Sequence, residues 1–96
     1  MSETGLMRDS LERFREHLIQ EERAVNTIEK YDRDIRYFFR QMEPGEALTK
    51  ELVLEYKRRL AETYKTSSAN SMLVALNRFL EFIERKDCQI KLFKVQ

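Results

Sequence analysis

The stretch Asn26-Thr27-Ile28-Glu29-Lys30-Tyr31-Asp32-Arg33-Asp34-Ile35-Arg36-Tyr37-Phe38-Phe39-Arg40-Gln41-Met42 decides the fold class, because it sorts its residues onto two faces. At roughly 100° per residue, Ile28, Tyr31, Ile35, Phe38, Phe39 and Met42 share one side, and that side is core. Asn26, Lys30, Arg33, Tyr37 and Arg40 gather opposite, with Glu29, Asp32 and Asp34 pushed to the flanks. A solvated helix face ordinarily mixes its charges, whereas this one is basic and free of acids. The pattern is that of a helix held by a bundle and offered to something anionic.

Working outward, residues 1–5 read as a flexible lead-in. A first helix then opens at Leu6 or Met7, capped by Asp9 or Ser10, with Leu11, Phe14 and Leu18 at helical spacing. Asn26 with Glu29 offers a capping box for the second helix, which alternatively starts a few residues earlier. Glu43-Pro44-Gly45 ends it. Thr49 caps a third helix, flanked by a hydrophobic staple of Leu48 and Val53, with Leu52, Val53, Tyr56 and Leu60 facing inward and an outer face of mixed charge.

From Thr63 to Leu80 there is no Asp or Glu, and a fourth helix begins within Thr66-Ser67-Ser68-Ala69-Asn70-Ser71. Thr66 or Ser67 can serve as N-cap. One cap needs one such residue, so five short polar side chains in six positions require a second explanation. Met72, Leu73, Leu76, Phe79, Leu80 and Ile83 form the buried stripe; Ser67, Asn70, Ser71, Val74 and Arg78 lie on the far side. Beyond Arg85 the helical period is lost. Ile90, Leu92 and either Phe93 or Val95 are too apolar for a simple tail. They read as packing against the domain or, the favoured reading, as the start of a connection to a further segment.

Ninety-six residues suit one domain, and two glycines with one proline leave few tight turns, so the class is all-α. The net charge of +1 means that any attraction to a polyanion must come from where the charges sit. Cys88, the single cysteine, cannot staple the fold and reads as a lone thiol near a frayed end. No apolar run approaches the ~18 residues of a membrane span, and no signal-peptide pattern opens the chain. A soluble, cytoplasmic protein without membrane contact is expected. His17 has no second His or Cys with which to share a metal, and no metal, cofactor or catalytic residue is expected.

The basic face of the second helix and the small-polar start of the fourth both suit DNA. Lys and Arg neutralise phosphates, and hydroxyls with backbone amides at a helix start receive phosphate oxygens. In a major groove, Asn70 or Asn77 could read adenine, Arg78 guanine and Val74 a thymine methyl. Spacing alone leaves open, on equal terms, a helical protein-interaction or oligomerisation module without DNA binding.

Asn26 to Phe38, together with Thr66-Ser67-Ser68-Ala69-Asn70-Ser71-Met72-Leu73-Val74-Ala75-Leu76-Asn77-Arg78-Phe79-Leu80-Glu81-Phe82, resembles the core-binding, SAM-like N-terminal domain of tyrosine recombinases, or phage integrases. The likeness spans about Leu6 to Lys86. It implies a four-helix bundle over residues 6–86 that clamps one face of a recombination-site duplex, its second and fourth helices approaching adjacent major grooves. By that likeness Lys30 and Arg33 contact phosphate or base edges, Ser67, Ser68, Asn70 and Ser71 sit at the groove, and Arg78 supports them. The candidate DNA-contacting set is therefore Asn26, Thr27, Lys30, Arg33 and Tyr37 on the second helix and Ser67, Ser68, Asn70, Ser71, Val74 and Arg78 on the fourth. The resemblance places the tyrosine nucleophile and its Arg, Lys and His partners on a separate catalytic domain, so Tyr31, Tyr37, Tyr56 and Tyr64 are not assigned that role. Residues 87–96 would begin the linker to it. The implied partners are double-stranded DNA at the core site, the catalytic domain of the same parent chain, and other recombinase protomers on DNA, the isolated domain being a monomer.

Overall fold

The computed structural model describes residues 3–94, with side chains from Met7 onward. Met1, Ser2, Val95 and Gln96 lie outside the described residues. The fold is all-α: four helices, α1 (Glu3–Gln20), α2 (Val25–Gln41), α3 (Lys50–Thr63) and α4 (Thr66–Phe82), are followed by a short 3-10 turn at Lys86–Cys88. The chain divides into two compact units, Met1–Ala47 and Leu48–Gln96.

In the first unit α1 pairs with α2. Met7, Leu11, Phe14 and Leu18 from α1, and Ile28, Ile35, Phe38 and Phe39 from α2, are buried at the spacings their periodicity requires. Helix α1 starts at Glu3, earlier than the expected Leu6 or Met7. Asp9 and Ser10 therefore lie inside it rather than capping it, and Ser10 instead accepts a hydrogen bond from Arg13. Tyr31, expected in the core, is half-buried, its ring stacked on Phe14 at 6.5 Å. This position leaves the phenol within reach of water.

The turn between α1 and α2 has no glycine, yet it closes as glycine usually closes one. Glu22 takes a left-handed φ of 60°, its N–H donates to Ile19 O (3.0 Å), and that of Arg23 donates to Leu18 O (3.1 Å). This is the Schellman pattern. The same device recurs in the second unit at Glu84 (φ 61°), where Glu84 N–H donates to Glu81 O and Arg85 N–H to Leu80 O. After α2, Glu43 O accepts from Glu46 N–H across Pro44 and Gly45. Gly45 at φ +82° supplies the positive dihedral that a type II turn needs at its third residue.

In the second unit, Thr49 Oγ1 accepts from Leu52 N–H as the expected cap of α3, and the staple residues Leu48 and Val53 are both buried. Val53, Tyr56 and Leu60 meet a core completed by Ala69, Leu73, Ala75, Leu76, Phe79 and Leu80 of α4. Leu52, Met72 and Ile83, expected inside, are half-buried at the margins of their stripes.

The largest departure is at the end of the chain. Cys88 and Ile90 are buried, so the thiol lies in the core rather than at a frayed end, and burial pushes its pKa up. The 3-10 turn at Lys86–Cys88 packs on α3 and α4, and residues 89–93 follow it as a strap held by side chains of both helices.

Candidate nucleic-acid interface

The α2 face survives in part. Asn26, Arg33 and Arg40 are exposed, and Thr27, Lys30 and Tyr37 half-buried. The Arg40 guanidinium lies 5.8 Å from the Tyr37 ring centroid, a cation–π distance. Thr27 sits about 100° round the helix from Asn26 and leaves the shared face. Two of the three acids of α2, Asp32 and Asp34, are paired with cations, while Glu29 is exposed. Asp32 accepts from Arg36 at 2.9 Å and pairs with Arg15 of α1 at 3.4 Å. Asp34, expected on the flank, is buried at 8% exposure and held by Lys30 at 2.5 Å. Lys30 therefore neutralises a buried carboxylate, because a charge that deep is stable only with a partner. Arg33 forms no ion pair among the described residues and is the clearest cation on this face.

On α4, Ser67 and Val74 (38% exposed) share a face with half-buried Ser71 and Arg78. Ser68 is turned about 100° from Ser67 and is half-buried toward the core side. The cap differs from expectation: α4 begins at Thr66 itself, Lys65 is the N-cap, and no side chain caps the helix. Likewise α2 begins at Val25 behind Ala24, so the expected Asn26–Glu29 capping box does not form. Neither helix has an acid in its first turn, whereas α3 has both a side-chain cap and Glu51. An uncapped helix start leaves N–H donors outward at the positive end of the dipole, and Lys65 adds positive charge where a cation is disfavoured unless an anion is near.

Asn70 and Asn77 are engaged elsewhere. Asn77 Nδ2 donates to Ile90 O (2.8 Å) while its Oδ1 accepts from Ile90 N–H (3.1 Å). Asn70 does the same to Phe93, at 3.0 and 2.7 Å. Each amide thus meets both polar groups of one strap residue. Both half-buried amides, expected at the groove or as adenine readers, are thus engaged with the strap in this structure. The sequence reading missed Lys65, Lys91 and Lys94; all three are exposed. For Lys65, the lack of a capping side chain before Thr66 was a usable signal. For the strap lysines nothing local was, since their place depends on contacts made at long range.

Among the described residues no group of His, Cys, Asp and Glu is arranged to hold a metal, and no helix is long and apolar enough to cross a membrane. Among the described residues the structure is all-α, four helices followed by a short 3-10 turn. The model of the phage integrase N-terminal SAM-like domain matches residues 11–87, well over half of the chain, and the protein belongs to that family. Its role is accordingly integrase-related, and the matched domain is the N-terminal one rather than a catalytic domain. No curated protein and no solved structure matches.

Proposed function

We propose that this chain is the core-binding domain of a tyrosine-type site-specific recombinase, holding double-stranded DNA at the recombination core site while catalysis is carried out by a further domain of the parent chain. In this reading it works in the cytoplasm with other recombinase protomers on DNA, residues 6–86 and the strap act as one DNA-holding domain, and a connection to the catalytic domain follows the strap. The observation that carries the proposal is the start of α4. Thr63 to Leu80 lacks any carboxylate, the helix is uncapped, Lys65 stands at its cap, and hydroxyls line its first turn. Such a site takes phosphate oxygens. The exposed Arg33 and Arg40 supply a second cationic face.

The test is binding to a short duplex as a function of salt. Affinity should fall steeply with salt, and Arg33→Ala should reduce the log–log slope by about 0.9. Arg33 is the residue of choice because Lys30→Ala would also unbalance buried Asp34. A rival reading, a protein-interaction module, rests on exposed Ile19 and Val25 (58% and 68%) at the two ends of the α1–α2 turn. A stable homodimer with no duplex binding at low salt would favour it.

A further inference from the structure

The strap is fixed at both ends by residues of matching spacing. Asn70 and Asn77 are two helical turns apart, about 10.5 Å, and they grip Phe93 and Ile90, three extended residues apart, about 10 Å. The match in length lets one helix face hold an extended segment running antiparallel to it. Helix α3 holds the other side: Lys50 Nζ donates to Gln89 O, and Lys57 Nζ lies 4.7 Å from the Phe93 ring centroid. Between and just beyond these pins stand Lys91 and Lys94, both exposed, and neither pairs with a carboxylate among the described residues.

On the helical wheel the two asparagines border the face carrying Ser67, Val74 and Arg78. The strap therefore runs along the edge of the acid-free surface of α4. It is acid-free itself from Cys88 to Lys94, and Asp87 at its start is paired with Arg85 at 3.1 Å. Two strips without a carboxylate thus lie side by side, the second carrying two exposed lysines three residues apart.

We propose that the strap is a second DNA-contacting element, in which Lys91 and Lys94 bind backbone phosphates beside the groove approached by α4. The proposal rests on the DNA-holding reading above and extends it to a segment outside the candidate DNA-contacting set read from the sequence. Lys86 is the internal control, being equally charged but set at the other end of the strap among Glu81, Glu84 and Asp87.

The experiment measures duplex affinity against salt for the wild-type chain, the double variant Lys91→Gln/Lys94→Gln, and Lys86→Gln, with melting followed by circular dichroism to show that all three fold alike. The double variant should lower the log–log slope by about 1.8, two phosphates at about 0.9 each, and Lys86→Gln should leave it unchanged. A wild-type chain that binds with a steep slope, which the double variant keeps, overturns the strap proposal and leaves the DNA reading intact. A loss in Lys86→Gln about half that of the double variant also overturns it, because an equal loss per charge removed would report bulk charge alone. A wild-type chain that binds no duplex overturns both.

Discussion

Replacing Asn77 by Ala should release the strap. The substitution removes one donor and one acceptor and orphans the N–H and C=O of Ile90, whose side chain is only 7% exposed. Two intramolecular hydrogen bonds contribute about 0.5–1.5 kcal/mol each, so the direct loss is ~1–3 kcal/mol. If the strap instead peels away to hydrate those groups, it exposes Ile90, whose burial contributes about 1.5–3 kcal/mol. The two routes converge on about 2 kcal/mol. The Asn70→Ala loss should be smaller, since Phe93 is only half-buried. Both residues hold one segment, so the double variant should cost less than the sum of the singles, as expected for side chains sharing a partner. Native-state hydrogen exchange is the direct assay: the amides of Ile90 and Phe93 should lose protection together in either single variant, while those in the middle of α4 keep theirs. Asn77→Asp sharpens the test, because a carboxylate still accepts from Ile90 N–H but confronts Ile90 O without a donor, a defect relieved when acid protonates it. Unchanged protection at Ile90 in Asn77→Ala, with stability within about 0.3 kcal/mol of wild type, would refute the claim that Asn77 holds the strap.

Glu22→Gly and Glu84→Gly should each stabilise by about 0.5–1 kcal/mol in urea melts, since both glutamates hold left-handed dihedrals that cost an L-residue more than glycine loses in chain entropy. Lys30→Met leaves Asp34 buried without its cation; with a third of the lysine exposed, the loss should be about 1–2 kcal/mol, and adding Asp34→Leu should recover most of it. The Arg58 hydrogen bond holds Glu55 below its usual 4.5, and Arg85 likewise holds Asp87 below 3.8. A depressed carboxylate stabilises fully above its unfolded value and loses that contribution as pH falls through the folded one. Melting temperature should therefore drop below about pH 4.5, with a shallower acid slope in Glu55→Gln and Asp87→Asn.

Much of the fold could be read in advance because helices announce themselves locally. The apolar stripes of α2 and α4, the Thr49 cap with its staple, and the Pro44-Gly45 stop all depend on residues within a turn or two of one another. What could not be read is long-range or chemically ambiguous. An asparagine amide offers the same donor and acceptor pair to an adenine edge and to a peptide backbone, so the pattern around Asn70 could not tell a groove from a strap lying 23 residues downstream. Lys30 looked like one cation in a stripe, yet the i to i+4 neighbour it meets, Asp34, is buried. The caps of α2 and α4 were misplaced for a related reason. A run of Thr, Ser and Asn supplies several residues able to cap, and here each helix starts at or before the first of them.

With both asparagines engaged, base reading from α4 falls to a narrower set under the DNA-holding proposal. Bidentate recognition of adenine needs an amide, and the two on this helix already meet the strap. Val74 offers one apolar contact for a thymine methyl, while the hydroxyls of Ser67 and Ser71 bond either class of base edge and discriminate little. Helix α4 should then position more than it specifies. Single base-pair changes beneath it, other than at a guanine within reach of Arg78, are expected to alter affinity by less than ~1 kcal/mol, under the ~1–3 kcal/mol of a good bidentate pair. A larger penalty confined to an adenine, accompanied by lost protection at Ile90 or Phe93 when duplex binds, would mean that an asparagine exchanges the strap for the base, and the fixed-strap account of α4 would have to be abandoned.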